Sequence, residues 1–283
     1  MTDIFIQTDK KLIPTLERYT FDGRIVVVQS VSEAERAVRY LRTCPILGLD
    51  TETRPSFRRG HQNHVALLQI ASTEICFLFR LNFMGFPQCL IDLLEDPKVL
   101  KVGLSLKDDF RQLRQRHANF EPQNYIELQL SAHRLGTNDM SLAKLFANFF
   151  RLRISKTAQL SNWEADSLDE KQRLYAATDA SACILLHQRI EELRLSGQYR
   201  LIPPPEGVPL IPPSLPKDDK EKKVPRKQSR RQRKSTSNTP SPAKGKGTSP
   251  KTRSTASATK ASKSIAKRTP RSGKKGTVPP PAS

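Results

Sequence analysis

The sequence predicts an α/β domain over residues 1–200, a Pro-rich spacer over 201–216 and a cationic tail over 217–283. Three observations predict it. Strand-type apolar runs alternate with helical apolar stripes through the first 200 residues. Two of those runs, VALLQIA (65–71) and ICFLF (75–79), are separated only by Ser72–Glu74 and so must return as an antiparallel hairpin. Composition then changes abruptly. The chain carries a formal charge of +20, yet residues 1–216 hold 27 basic and 25 acidic side chains, whereas residues from Lys217 onward hold 21 and 3. The last aromatic is Tyr199, and Val224, Ile265 and Val278 are the only branched aliphatics of the tail. Such a segment buries too little apolar surface to offset its ordering entropy, so disorder is expected there.

Taken in order, RIVVVQ (24–29) is a β-branched strand candidate. Ser32 and Glu35 have the spacing of a capping box. Ala34, Ala37, Val38 and Leu41 follow at helical spacing, which predicts a helix to about Arg42. ILGLDTE (46–52) reads as a buried strand ending at the edge of a site, and the hairpin follows it. Residues 87–94 predict a short helix stopped near Asp96 and Pro97. VLKVGLSL (99–106) predicts a strand, and Asp108, Asp109, Phe110, Leu113 and Arg114 open an amphipathic helix with acids at its favourable end. Tyr125–Leu128 is a candidate further strand, followed by a helical turn to Leu135. SLAKLFANFF (141–150) predicts an apolar helix whose Phe146, Phe149 and Phe150 belong to the core rather than to a base-stacking platform. A long helix is expected from Asp169 to Leu195, with Trp163 packed beneath its start. The spacer's seven prolines rule out helix and central strand.

The chemistry-bearing residues stand out against this background. Asp50 and Glu52 sit at i and i+2 of a strand, so their carboxylates project side by side. Like charges this close need a shared proton or a cation, and hard oxygen donors suit Mg²⁺ or Mn²⁺. Tyr175 and Asp179, four residues apart on a helix, are neighbours on one face. The loop RRGHQNH holds His61 and His64; contact with substrate or plain solvation fits that loop better than a metal site does. Cys44, Cys76, Cys89 and Cys183 lack C-x-x-C spacing and read as reduced thiols in or near the core. No apolar run reaches the roughly 20 residues of a membrane-spanning helix, and the N-terminus lacks a secretory pattern. A cytoplasmic location is expected, or a nuclear or nucleoid-associated one if the tail directs it.

D-x-E at a strand end, an Asp after a strand-turn-helix junction and Y-x-x-x-D on a late helix occur here in that order. With the flanking phrases VALLQIA, KVGLSLKDDFRQL and ISKTAQLSNWEADSLDEKQRLYAATDA, this pattern over residues 24–195 resembles the DEDDy branch of the 3′-to-5′ exonucleases. That superfamily includes ribonuclease D, the Werner exonuclease domain and polymerase proofreading domains. The resemblance implies a ribonuclease H-like fold, with a mixed central sheet of about five strands flanked by helices. It further implies two divalent cations, Mg²⁺ or Mn²⁺. Asp50 would bridge both, Glu52 and Asp179 would hold the one that activates water, and Asp109 would support the second. Alignment on Gly103 selects Asp109, with the adjacent Asp108 as the alternative. Tyr175 would orient and help deprotonate the attacking water through its hydroxyl, and the products would be nucleoside 5′-monophosphates. Lys156, His64 and Thr51 are the candidate substrate contacts. The expected polymer is DNA, gripped also by the basic tail through nonspecific phosphate contacts. An RNA-trimming enzyme of ribonuclease D type and a noncatalytic nucleic-acid-binding protein are the alternatives.

Overall fold

The computed structural model describes residues 1–56, 60, 63–206 and 209–213. The cationic tail, His61 and residues 207, 208 and 214–216 of the spacer lie outside the described residues. The central sheet has six strands in the order β3 (Arg24–Val28), β6 (Ile75–Arg80), β5 (Val65–Ala71), β4 (Ile46–Thr53), β7 (Leu100–Gly103) and β8 (Tyr125–Glu127). The β4–β5 and β5–β6 ladders are antiparallel and the other three parallel, so the sheet is mixed, as expected. Its sixth strand, β8, is the candidate strand expected from Tyr125 onward, and it ends at Glu127, one residue short of the expected bound.

Two layers of helix cover it. On one face Leu47, Leu49, Leu68 and Ile70 pack with Ala34, Val38 and Leu41 of α1 (Val31–Leu41), with Leu90, Ile91 and Leu94 of α3 (Gln88–Glu95) and with Phe110 and Leu113 of α4 (Leu106–Leu113). A short α2 (Leu81–Met84) links β6 to α3. On the other face Leu67 and Ala71 pack against Ala176, Ala177, Ala180 and Ile184 of α7 (Glu170–Ser196), flanked by α5 (Leu128–Arg134) and α6 (Leu142–Phe150). Phe146 and Phe149 are buried, as an apolar helix face requires, and Trp163 is buried with its ring 6.0 Å from that of Tyr175. All four cysteines are free thiols, Cys76 and Cys183 being buried.

The cap of α1 corrects the sequence reading. The run SVSEAE contains two overlapping S-x-x-E boxes, and the chain uses Ser30 with Glu33 rather than Ser32 with Glu35. Ser30 Oγ accepts from the Glu33 amide at 3.4 Å, and Glu33 Oε2 accepts from the amides of Ser30 at 3.1 Å and Gln29 at 3.0 Å. β3 ends at Val28, so the earlier box satisfies the two backbone donors left between strand and helix. The later box would leave both to solvent.

The N-terminal segment is tied into the domain by pairings that the sequence did not signal. β1 (Thr2–Phe5) runs parallel to β10 (Tyr199–Ile202), and β2 (Glu17–Arg18) parallel to β9 (Leu152–Arg153). β10 carries pairing two residues past the expected domain end at 200, because prolines begin only at Pro203. A buried polar network locks this segment in place. Asp139 accepts from the Thr8 amide at 3.1 Å, and Asn148 exchanges two 2.8 Å hydrogen bonds with the backbone of Phe5.

Close approach of α7 to β4 depends on one glycine. A Cβ added to Gly48 would lie 2.0 Å from the carbonyl oxygen of Ala180 and 3.0 Å from Ile184 Cγ1. Backbone cannot yield as a flexible side chain does. Gly48→Ala should therefore destabilise the domain by about 1–3 kcal/mol, lowering Tm by roughly 2–4 °C per kcal/mol. An unchanged melting temperature would show that α7 can move off the sheet at no cost.

Candidate active site

The site forms where β4 outruns its neighbour. The β4–β7 ladder ends at Gly48↔Val102, whereas the β4–β5 ladder continues to Thr53↔Val65, with a bulge between Glu52 and Thr53. The end of β4 is thus paired on one side only. Gly48 faces α7, so Asp50 and Glu52, two and four residues on, project toward α7 as well. From that helix come Tyr175 and Asp179, both buried. Carboxylate oxygens of Asp50, Glu52 and Asp179 lie within 4.8 Å of one another. Two chain segments about 130 residues apart thereby converge on one acidic cluster.

Asp109 approaches from α4, on the opposite side of the sheet. Its Oδ1 accepts a hydrogen bond from Thr51 Oγ1, while the Thr51 amide donates to Asp50 Oδ1 at 2.9 Å. Thr51 therefore links two of the acids through its own side chain and amide. The two neighbouring acids differ in their surroundings. Asp109 is 9 % exposed, whereas the Asp108 side chain is 65 % exposed and pairs with Arg111 at 3.0 Å.

Without a counter-cation the cluster retains protons. Burial, with the Thr51 amide opposing it, raises the Asp50 carboxyl to about 7. Burial and then the charges of Asp50, Asp179 and Asp109 raise Glu52 to about 10. Asp109 and Asp179 lie well above the usual carboxylate range, through burial first and the Asp50 charge second. The Tyr175 hydroxyl, a hydrogen-bonding neighbour of Asp179, is pushed upward by burial and by Asp179 and Glu52, and so stays protonated at neutral pH. Asp179 Oδ1 is buried with no hydrogen-bond partner. Hard oxygen donors, mutual repulsion and an orphaned carboxylate oxygen together fit divalent cations.

The remaining candidates stand further out. Lys156 is exposed, but its charge reaches Asp179 and pulls that carboxyl downward against burial. His64 is exposed, and no contact among the described residues ties it to the acids. Three residues matter here that the sequence reading passed over. Gly48 sets the approach of α7, and a glycine inside a strand-type run is a recognisable sign of such contact. Glu127 is buried and accepts from the Lys107 amide at 2.8 Å, fixing the N-terminus of the helix that carries Asp109. Gln69 pairs across from Asp50 and is buried with neither amide atom hydrogen-bonded; its one signal is a polar residue inside VALLQIA.

A family model described as 3′-5′ exonuclease matches residues 25–193. The mouse bifunctional 3′-5′ exonuclease/ATP-dependent helicase WRN is 31% identical over 210 residues, covering 70% of this chain and 15% of that protein. Exonuclease 3′-5′ domain-containing protein 2 of Drosophila melanogaster is 32% identical over 177 residues, covering 59% of this chain and 30% of that protein. The chain thus spans less than a third of the length of either relative. Among solved structures, Escherichia coli RNase D, described as an exoribonuclease involved in structured RNA processing, aligns with a TM-score of 0.55 at 21% identity, covering 62% of this chain and 46% of that one. The Nibbler EXO domain of Aedes aegypti aligns with a TM-score of 0.59 at 19% identity, covering 64% and 94%. Both share the fold, which is the ribonuclease H-like exonuclease fold.

The raised carboxyls set the pH dependence of stability. Unfolded Asp and Glu titrate near about 3.9 and 4.3, so between there and about 7 for Asp50, or about 10 for Glu52, the folded chain binds more protons than the unfolded one. Stability in chelator must fall as pH rises through that window. Tm in chelator should therefore drop from pH 5 to pH 8, and millimolar Mn²⁺ should raise it more at pH 8 than at pH 5. Asp50→Asn should raise Tm in chelator at pH 8. A flat profile in chelator would contradict the proposed repulsion.

Proposed function

The chain belongs to the 3′-5′ exonuclease family, hydrolases that act on phosphodiester bonds, and on that premise we propose that it removes nucleotides from the 3′ end of DNA. The convergence of Asp50, Glu52 and Asp179 within 4.8 Å, with the Tyr175 hydroxyl beside them, is the observation that carries this reading. In it, Asp50, Glu52, Asp179 and Asp109 hold two divalent cations, Mg²⁺ or Mn²⁺. Such ions supply a water that ionises near neutral pH and neutralise charge on the leaving oxygen.

The protein's own groups do the rest. Tyr175 orients the attacking water through its hydroxyl, which lies beside Asp179. Water oxygen bonds to phosphorus, the bond from phosphorus to the 3′ oxygen breaks, and that oxygen takes a proton as the nucleoside 5′-monophosphate leaves. Glu52, at the strand terminus, contacts the terminal 3′ hydroxyl, which restricts cleavage to chain ends. Thr51 and Glu127 hold Asp109 by way of its carboxylate and its helix. Lys156 offers a positive charge whose field reaches Asp179 for the phosphate entering the site. The tail from Lys217 onward serves as a sequence-independent anchor whose affinity falls with salt.

The DNA reading is supported by the phrases SNW and LYAATDA and by the 31% identity that spans 70% of the chain with the Werner-type relative. RNA as substrate is the second reading, favoured by the shared fold with E. coli RNase D. Matched DNA and RNA strands degraded by one preparation decide between them, and the faster strand names the substrate.

Asp50→Asn should abolish cleavage on either polymer while the protein stays folded; activity within tenfold of wild type would remove Asp50 from the centre of the site. Tyr175→Phe should lower kcat by about 10²-fold with KM nearly unchanged, and equal loss in both would contradict a role confined to the reacting water. Truncation after Pro216 should flatten the salt dependence of DNA binding. An unaltered slope would mean that the tail does not touch phosphate.

A further inference from the structure

A second concavity, to which none of the four acids contributes, opens between the N-terminal segment and the start of α6. Its volume is about 370 Å³, within the range of about 300–1,000 Å³ typical of ligand sites. Ile13 and Ile154 give it an apolar floor, and Lys10, Lys144, Arg153 and Lys156 stand around it. Among the described residues no acidic side chain lines it.

The wall carrying Lys10 and Ile13 precedes residue 25, where the exonuclease family match begins, so the pocket is a joint product of that domain and this chain's N-terminal segment. The wall is firmly held. The Thr8 amide is bonded to Asp139, Arg153 Nε donates to the Leu16 carbonyl at 2.9 Å, and the short β2–β9 ladder closes the same side. Lys144 is tethered to the buried Asp139 at 3.5 Å. Lys10 and Lys156 are exposed and make no ion pair among the described residues. Lys156 belongs to both places: it lines the pocket, and its charge reaches Asp179.

A strand that enters the acidic cluster by its 3′ end must carry the rest of its phosphates away from carboxylates. One neighbouring surface among the described residues that accepts negative charge is this pocket, which shares Lys156 with the acidic site. An apolar floor ringed by cations suits a nucleotide unit, with the base against the aliphatic side chains and phosphates on the ammonium and guanidinium groups. We propose that the pocket holds a nucleotide of the substrate strand upstream of the scissile bond, its base on Ile13 and Ile154 and its phosphates on Lys10, Arg153 and Lys156. This rests on the exonuclease reading and adds to it a subsite that makes affinity depend on strand length.

The test uses the full chain in Mn²⁺ with three single-stranded probes: the p-nitrophenyl ester of thymidine 5′-monophosphate, a dinucleotide and an octanucleotide. For wild type, KM should fall from dinucleotide to octanucleotide. Lys10→Glu and, independently, Ser155→Glu, which places a carboxylate in the pocket, should each raise the octanucleotide KM about fivefold or more. Both should leave kcat and turnover of the ester unchanged. Lys10→Ala should reduce the slope of log KM against log salt by about 0.7. Octanucleotide KM values unmoved in both Glu variants, with wild type cleaving all probes, would overturn the subsite and leave the exonuclease reading standing. If wild type cleaves none of them, that reading has failed, and octanucleotide binding by fluorescence anisotropy then decides the pocket: weaker binding in both Glu variants supports it, and equal binding overturns it.

Discussion

Four carboxylates crowded at the end of one strand are the constraint around which this domain is built. Burial disfavours the ionised state of all four, neighbouring charges add to it at Glu52, Asp109 and Asp179, and the upward displacement of these carboxyls expresses that cost in the folded chain. A folded protein can carry such a cluster only if the surrounding packing is strong enough to hold it and something of opposite charge relieves it. The packing is visible in the sheet. β4 is central, its odd positions Leu47 and Leu49 are sealed by α1, α3 and α4, and its even positions lie under α7.

The site's geometry follows from where β4 loses a partner. Because β7 stops at Gly103, the N-terminal turn of α4 can reach Thr51 and deliver Asp109 beside the last residues of β4. Because Gly48 lacks a side chain and α7 presents Ala176, Ala177 and Ala180, the long helix lies close enough for Asp179 to meet Asp50 and Glu52. Small residues in the core and acids at its edge are thus one design: the first permits the distance that the second requires. Glu127 adds a further layer, since its carboxylate accepts from the first turn of α4 and holds Asp109 by way of the helix backbone.

Much of this is legible in the order of the residues alone. Asp50 and Glu52 share a face by strand periodicity, Tyr175 and Asp179 by helical periodicity, and both periodicities are local properties. What stays hidden is non-local or degenerate. Overlapping boxes in SVSEAE differ only in which backbone donors they satisfy, and that depends on where β3 ends. The β1–β10 and β2–β9 ladders join segments more than 130 residues apart, and four-residue or two-residue strands leave no pattern to detect. Glu127 looks like an ordinary polar residue at the end of YIE, and nothing nearby announces that its carboxylate faces the start of α4. The cationic pocket is out of reach for the same reason: Lys10 and Lys156 come together only once the N-terminal segment is pinned by Asp139 and Asn148.

If the acidic cluster exists to hold divalent cations, electron paramagnetic resonance of Mn²⁺ titrated into the full chain tests that role most directly. Wild type should bind about two ions per chain, with affinity rising from pH 5 to pH 8 as the carboxyls ionise, and Asp50→Asn should lose that binding while remaining folded. Absence of bound Mn²⁺ in the wild type at pH 8, or undiminished binding in Asp50→Asn, would contradict it.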